Sequence, residues 1–310
     1  MKNLILLILL FFGFYCCTNK EASLESISKM NTVESTTELV TEIASDKMEG
    51  RKPGTAGMES ATRFVENYLS SAHIQPFFEN YRDTLLVRDK ESYNIVGLIK
   101  SKKPNTEYVL IGAHLDHLGI RPSQTDSIYN GANDDASGVT AVLQIATILK
   151  KYEVDKNIIV AVFTGEESGL LGSKHLAKRL KSLNIPLKLM LNFEMIGTVL
   201  SNGENQVYIT GFDKSDFAEN FNQLLNVEVA TKLEDYEQLF RMSDNYPFYQ
   251  EFGIPAHTIC TFDFKNFDQF HQPGDEVSKL DLKNMNAIIN SSSMAILKLV
   301  NSDIPINISE

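Results

Sequence analysis

The sequence predicts an α/β fold in which a largely parallel central sheet is packed between helices. Two observations lead to this prediction. Strand-like and helix-like segments alternate along most of the chain, which is the pattern of βαβ units. In addition, the run at residues 157–163 (NIIVAVF) is almost continuously apolar, as expected of a parallel strand that is buried on both faces.

The individual elements follow from periodicity and capping. Thr55 is placed to cap a helix in which Ala61, Val65 and Leu69 share one face. In chain order, the sequence predicts helices at 56–72, 136–150, 170–183, about 214–225 and 280–300, and strands at 93–99, 107–113, 157–163, 187–193 and about 256–260.

The N-terminal segment has the pattern of a signal peptide. Lys2 is followed by an apolar run at residues 4–15, which is too short for a membrane-spanning helix of about 20 residues. The run ends at Cys16-Cys17, and Cys17 resembles the lipidation site of a bacterial lipoprotein. We therefore predict a signal peptide and anchor at 1–17, a polar tether at 18–32 and one globular domain at 33–305. The protein would then be lipid-anchored at the bacterial cell envelope, or secreted if no lipid is attached.

Charge and cysteine content exclude several classes. The 40 acidic residues outnumber 29 Lys and Arg, for a net charge of −11, which argues against nucleic acid as a partner. Of the three cysteines, Cys16 and Cys17 belong to the predicted signal segment and anchor, and Cys260 lies in the predicted globular domain, so no disulfide framework is possible.

Polar residues follow three of the predicted strands. His114 begins the segment HLDH, Glu166 and Glu167 follow the run at 157–163, and Glu194 follows the run at 187–193. Parallel strands place such residues at one sheet edge, and imidazole and carboxylate together suit zinc. The loop NGANDDASG at 130–138 supplies two more carboxylates.

Each piece alone has a plainer explanation. His114 could be a core histidine, the Asp pair a helix N-cap and Glu166-Glu167 a solvated turn. Their joint placement at strand ends favours a metal site. No G-x-S-x-G or H-E-x-x-H pattern is present, so the sequence does not indicate a serine hydrolase or a thermolysin-like zincin.

Seven segments together resemble the zinc-dependent exopeptidases that include bacterial leucyl aminopeptidases, aminopeptidase Y, glutamate carboxypeptidase and glutaminyl cyclases. They are SDKMEGRKPGTAG (45–57), GAHLDHLG (112–119), NGANDDASG (130–138), FTGEESGLLGS (163–173), LNFEMIG (191–197), MSDNYPF (242–248) and FHQPGD (270–275). The resemblance covers about residues 38–300 and implies a three-layer sandwich with a mixed, mostly parallel sheet.

The resemblance also implies a site that holds two Zn²⁺ ions. By position, one ion would be bound by His114, the other by His271, with Asp134 as the bridge and Glu167 and Glu194 completing the two shells. Glu194 departs from the family, which often has Asp there. Glu166 would be the general base, and the carboxylate of Asp116 would orient His114. His117 is not favoured as a further ligand, and Asp244 matches a position that either supports a ligand or faces the substrate.

The main functional hypothesis is an aminopeptidase that acts on peptides with a free N-terminus. A glutaminyl cyclase is the alternative, although such enzymes often use Trp and this chain has none. A carboxypeptidase would need a basic residue that the sequence does not reveal. A non-enzymatic receptor of this fold would have lost ligands. Four phenylalanines before His271 could wall a side-chain pocket or belong to the core: Phe262, Phe264, Phe267 and Phe270.

Substitution of Cys17 tests the predicted anchor. The wild-type protein should partition with membranes. The Cys17→Ala variant should be found in the soluble fraction, because the residue that carries the lipid is lost. Fractionation followed by immunoblotting measures both. Recovery of the wild-type protein in the soluble fraction would contradict the prediction.

Overall fold

The computed structural model describes residues 22–104, 107–121, 126–233 and 237–309. Its helices are α1 (Leu24–Met30), α2 (Val33–Ile43), α3 (Ala56–Ser71), α4 (Gly138–Lys151), α5 (Leu171–Ser182), α6 (Phe217–Leu225), α7 (Asn245–Phe252) and α8 (Leu282–Val300). Its strands are β1 (Gln75–Pro76), β2 (Arg82–Val87), β3 (Lys90–Ile99), β4 (Tyr108–His114), β5 (Gly119–Ile120), β6 (Ile128–Tyr129), β7 (Asn157–Phe163), β8 (Leu187–Glu194), β9 (Val207–Ile209), β10 (Ala230–Thr231) and β11 (Ala256–Cys260).

A mixed sheet of nine strands forms the centre of the molecule. Its order is β1-β3-β7-β4-β8-β11-β9-β10, and β2 pairs with the remaining length of β3. The four middle strands, β7, β4, β8 and β11, are parallel to one another. Helices α2, α3, α4, α6 and α8 cover one face, and α5 and α7 cover the other. The predicted α/β sandwich is confirmed.

Double burial explains the apolar sequences of the middle strands. All seven residues of β7 are buried, because helices lie on both faces of this strand. The parallel register sets His114 opposite Phe163 and Glu194 opposite Cys260. The carboxyl ends of these strands therefore meet at one edge of the sheet, where the polar residues of the sequence were expected to converge.

Each predicted helix and strand is present with its ends within three residues of the expected positions. Thr55 caps α3 as expected, since its side chain accepts a hydrogen bond from the Met58 amide. The short elements were missed. In the β2–β3 hairpin, for example, Arg88 and Asp89 form the turn with φ values of 48° and 64°. This turn lacks the Asn-Gly or Asp-Gly pair that is typical of two-residue hairpin turns.

The expectation of a tether at 18–32 is wrong for residues 24–30, which form α1. Ser23 caps this helix with a capping box. Ile27 is fully buried and packs with Ile148 of α4 and Met294 of α8. This helix has seven residues and one buried side chain. A single buried position gives no helical periodicity, so the sequence pattern did not indicate the helix.

The predicted signal segment and the lipidation site at Cys17 lie outside the described residues. In the described parts of the chain, no helix combines the length and apolar character needed to cross a membrane.

His257 of β11 is a buried neutral imidazole. Its Nδ1–H donates to the Thr210 carbonyl at 2.9 Å, and its Nε2 lies 2.6 Å from the Ser215 hydroxyl. The ring stacks on Phe217. Burial, aided by the positive charge of Lys214, lowers the pKa of His257 to about 4.

Acid should therefore destabilise the fold through His257. The unfolded chain protonates this histidine near pH 6.5 and the folded chain near pH 4, so stability is complete above pH 6.5 and falls as the pH drops toward 4. The difference corresponds to about 3 kcal/mol. Urea unfolding of the metal-free protein at pH 7 and pH 4 should show a larger loss for the wild type than for His257→Asn. Equal losses in the two proteins would contradict this assignment.

Candidate metal centre

The strand ends bring the predicted site residues into one cavity. Its volume is about 270 Å³, and its polar wall consists of Asp134, Glu166, Glu167, Glu194 and His271. His114 ends β4 directly behind this wall and is 1% exposed. Residues separated by more than 150 positions in sequence therefore meet at one sheet edge, as predicted.

Asp134 lies at the centre of the cluster. It belongs to a wide turn, Ala132–Ser137, that leads into α4. Its Oδ1 lies 3.2 Å from His114 Nε2, and its Oδ2 lies 3.1 Å from His271 Nε2. Burial would raise the pKa of Asp134, but the contacts with the two histidines hold it well below its usual range. Each oxygen of this ionised carboxylate faces a different imidazole, which is the arrangement of a bridging ligand.

Glu167 adds a second carboxylate beside His271. Its Oε1 lies 3.2 Å from His271 Nε2. Burial would raise the pKa of Glu167, but its contacts with His117 and His271 lower it to about 2. Ligands around a tetrahedral zinc ion at 2.0–2.1 Å are about 3.3 Å apart. The separations at Asp134 and Glu167 are close to that value, so these residues fit a divalent ion.

His117 belongs to the site, although the sequence did not favour it. It is 1% exposed. Its Nδ1 lies 2.9 Å from Glu167 Oε1 and 3.8 Å from Asp134 Oδ2, and ligand atoms of these three residues lie within 4.8 Å of one another. Burial lowers the pKa of His117, so the ring is neutral and its Nδ1–H can donate to Glu167. The sequence signal was the second histidine of HLDH.

Asp116 does not contact His114 in the expected way. The far nitrogen of His114, Nδ1, lies 3.0 Å from the main-chain carbonyl of Asp116. The Asp116 carboxylate is 3.9 Å from that nitrogen, which is too long for a hydrogen bond. It accepts instead from the Glu166 amide at 3.1 Å. Asp116 therefore orients His114 through its backbone and holds the Glu166 loop through its side chain.

Glu166 is a carboxyl group of the cavity wall that takes up a proton readily. Burial and the negative charges of Glu194, Asp244 and Asp116 raise the pKa of Glu166 well above its usual range. Asp244 is fully buried. Burial, with the charges of Glu194 and Asp116, raises its pKa to about 7. The site therefore contains ionised carboxylates at Asp134 and Glu167 and a basic one at Glu166.

Glu194 is held by residues that the sequence analysis did not identify. Its Oε2 accepts a short hydrogen bond from the Ser243 hydroxyl and one from Asn192 Nδ2 at 3.3 Å. Ser243 lies two residues before the start of α7. These contacts compensate for the extra methylene of Glu over Asp, because they fix the direction of the longer side chain.

The cavity also has an apolar wall. Phe262, Phe264 and Phe270 line it, together with Met195, Leu239, Met242 and Cys260. The Phe270 ring stacks on His271 with centroids 4.0 Å apart. Phe267 packs into a neighbouring buried cluster, so the pocket interpretation holds for three of the four phenylalanines.

Known relatives share parts of this sequence. A probable leucine aminopeptidase of Trichophyton verrucosum is 27% identical over 206 residues, which is 63% of this chain and 52% of that protein. A probable zinc metalloprotease of Pyrenophora tritici-repentis is 37% identical over 103 residues, or 33% of this chain and 24% of that protein. The chain thus spans about half of the first of these relatives and about a quarter of the second.

Solved structures share the fold. The LapA aminopeptidase of Legionella pneumophila has a TM-score of 0.70 and 20% identity, covering 90% of this chain and 75% of that one. BSAP, a zinc aminopeptidase from Bacillus subtilis, has a TM-score of 0.71 and 15% identity, with coverages of 88% and 96%. The glutaminyl cyclase of Porphyromonas gingivalis has a TM-score of 0.68 and 19% identity, with coverages of 87% and 99%.

The profile of peptidase family M28 matches residues 94–296. The matched region contains every residue of the polar wall. It also contains the four parallel strands that position these residues, β4, β7, β8 and β11. Because it spans more than half of the 310 residues, this chain belongs to peptidase family M28.

Proposed function

We propose that the protein is a zinc-dependent aminopeptidase that removes N-terminal residues from peptides. The observation that carries the proposal is the two-sided cavity. One wall is a cluster of metal-ligating and acidic groups, and the other is apolar. A substrate held between these walls would place its reacting carbonyl at the cluster and its side chain on the phenylalanines. A lipid anchor at Cys17, at the cell envelope, is a further proposal that rests on the N-terminal sequence.

The polar wall is suited to two zinc ions. The contacts of Asp134 support a shared ligand, since its two oxygens face His114 and His271 separately. Glu167 would complete the shell on the His271 side and Glu194 that on the His114 side. Divalent ions at such a site polarise a carbonyl group and make water more acidic.

The charge of the site favours a substrate with a free amino group. Eight carboxyl groups lie in or directly behind the cavity: Asp116, Asp134, Asp135, Glu166, Glu167, Glu194, Asp244 and Asp275. Two divalent ions and the buried Arg51 would supply five positive charges. The remaining negative charge must be neutralised by protons or by a cationic substrate. The α-ammonium group of a peptide can supply this positive charge. Of the described residues that line the cavity, none is Lys or Arg, so a C-terminal carboxylate would be repelled.

Glu166 would act as the general base. It lines the cavity beside the ligands, and its raised pKa makes it a stronger proton acceptor than Glu167. In this role Glu166 accepts the proton from the attacking water and later delivers it to the leaving amine. The Asp116 carboxylate, bound to the Glu166 amide, would keep this side chain in place.

A panel of chromogenic substrates tests the proposal. Free aminoacyl anilides with apolar side chains should be cleaved, and a chelator should stop the reaction until zinc is restored. N-acetylation should lower kcat/KM by about 100-fold or more, because the blocked substrate has no ammonium group to pair with the acidic wall. Cleavage of N-blocked peptides from the C-terminus would favour a carboxypeptidase. Cyclisation of N-terminal glutamine without cleavage of the anilides would favour a glutaminyl cyclase.

Adjacent glutamates provide a test of the division of roles. Glu166→Gln should retain zinc but lose about 10²–10⁴-fold in kcat, because a neutral amide cannot accept the proton. Glu167→Gln should lose zinc together with activity, because the amide is a poor ligand. Elemental analysis and steady-state kinetics measure these effects, with Glu219→Gln on the exposed side of α6 as the matched control. Equal zinc loss in both site variants would contradict the assignment.

A further inference from the structure

We propose that Arg51 is a positioning residue that holds the two ligand-bearing loops of the metal site in place before any ion binds. One loop, residues 114–117, carries His114 and His117, and the other, residues 130–135, carries Asp134. The inference rests on the proposed metal site, but it concerns how the site is kept in shape rather than the reaction.

Arg51 enters the site on a strained turn. Glu49, Gly50 and Arg51 have φ values of 48°, 63° and 50°, so three consecutive residues are left-handed, a conformation that persists only where the surroundings enforce it. A Cβ on Gly50 would lie 2.5 Å from the Tyr129 carbonyl oxygen and 2.7 Å from that of Gly119. The turn is therefore pressed against the β5–β6 hairpin, which fixes the direction of the Arg51 side chain.

The guanidinium binds main-chain carbonyls of both loops. Its Nε donates to Leu115 O at 2.7 Å, which lies between His114 and Asp116 in sequence. Its Nη1 and Nη2 donate to Asn130 O at 2.5 Å and Gly131 O at 2.9 Å. A further bond joins Nη1 to Ile43 O at the end of α2, at 3.1 Å.

The backbone of Arg51 closes the arrangement. Its own carbonyl lies 3.3 Å from the His117 amide, which donates to it. Arg51 thus contacts the first loop from both its side chain and its main chain. One planar group that bonds to both loops fixes their separation, and so the distance between His114 and Asp134.

Electrostatics give Arg51 a second effect. It is 0% exposed, and no other Lys or Arg of the described residues is buried. No described carboxylate oxygen lies within 4.0 Å of its guanidinium, yet its charge interacts with Asp275, Asp134, Asp135 and Asp116. The acidic groups repel one another when no ion is bound, and a fixed cation behind them reduces that repulsion. Arg51 would therefore keep the empty site close to its ligating geometry, which favours ion binding through preorganisation.

A pair of Arg→Lys variants tests this role. Arg51→Lys keeps the positive charge but loses the planar set of N–H donors of the guanidinium. Arg82→Lys is the matched control, because Arg82 also makes several side-chain hydrogen bonds, to Glu59 and Glu66 away from the site. Competition with a chelator should show zinc affinity falling by about tenfold or more in Arg51→Lys. In Arg82→Lys it should stay within about twofold of the wild type. Unchanged zinc affinity in a folded Arg51→Lys would overturn the proposal.

A measurement on the wild-type protein tests the proposal even if Arg51→Lys does not fold. NMR exchange of the Arg51 Nε–H proton should show strong protection in both the metal-free and the zinc-loaded protein, because its bond to Leu115 does not depend on the ions. Rapid exchange in the metal-free protein alone would mean that the ions hold the loops, and would overturn the proposal. A protein that binds zinc but cleaves no aminoacyl substrate would contradict the proposed activity only, and the zinc affinities would still decide the role of Arg51.

Discussion

Buried negative charge is the constraint on which this site depends. Parallel strands bring their carboxyl ends to one edge, and here those ends and the adjoining loops carry acidic residues that are almost fully enclosed, such as Asp116, Asp135 and Asp244. Such groups are costly to bury without partners. The structure reduces the cost with backbone amides and histidines around the cavity, and with the buried cation of Arg51. The remaining negative charge is what makes the cavity receptive to cations.

The sequence predicted the parts of the molecule that depend on local pattern. Continuous burial of β7 and the helical periodicity around Val65 could be recognised without a structure, and the mostly parallel sheet followed from the alternation of strands and helices. The convergence of His114, Glu167 and Glu194 was predictable for the same reason, since parallel strands have only one carboxyl edge. The resemblance to known exopeptidases supplied Asp134 and His271, which no local rule would have placed together.

The remaining features depend on three-dimensional packing that pattern does not encode. The contact of His117 with Glu167 arises because two loops cross at the strand ends, although their residues are 50 positions apart. The Asp116 carboxylate turns to the Glu166 amide because the main chain already satisfies His114. In the sequence, Arg51 stands between Gly50 and Lys52, and no periodic pattern there indicates that it is buried. Only the left-handed turn directs it inward.

The two walls of the cavity are joined through one segment of chain. His271 is left-handed, with φ of 55°, and its ring is stacked on Phe270, which belongs to the apolar wall. Phe270 in turn stacks on Phe262, with centroids 5.0 Å apart. The orientation of a metal-facing imidazole therefore depends on the packing of the surface that would receive the substrate side chain. Because the two stacked rings belong to consecutive residues, a substrate side chain that displaced Phe270 would also disturb His271, which would couple side-chain selection to metal geometry in this site.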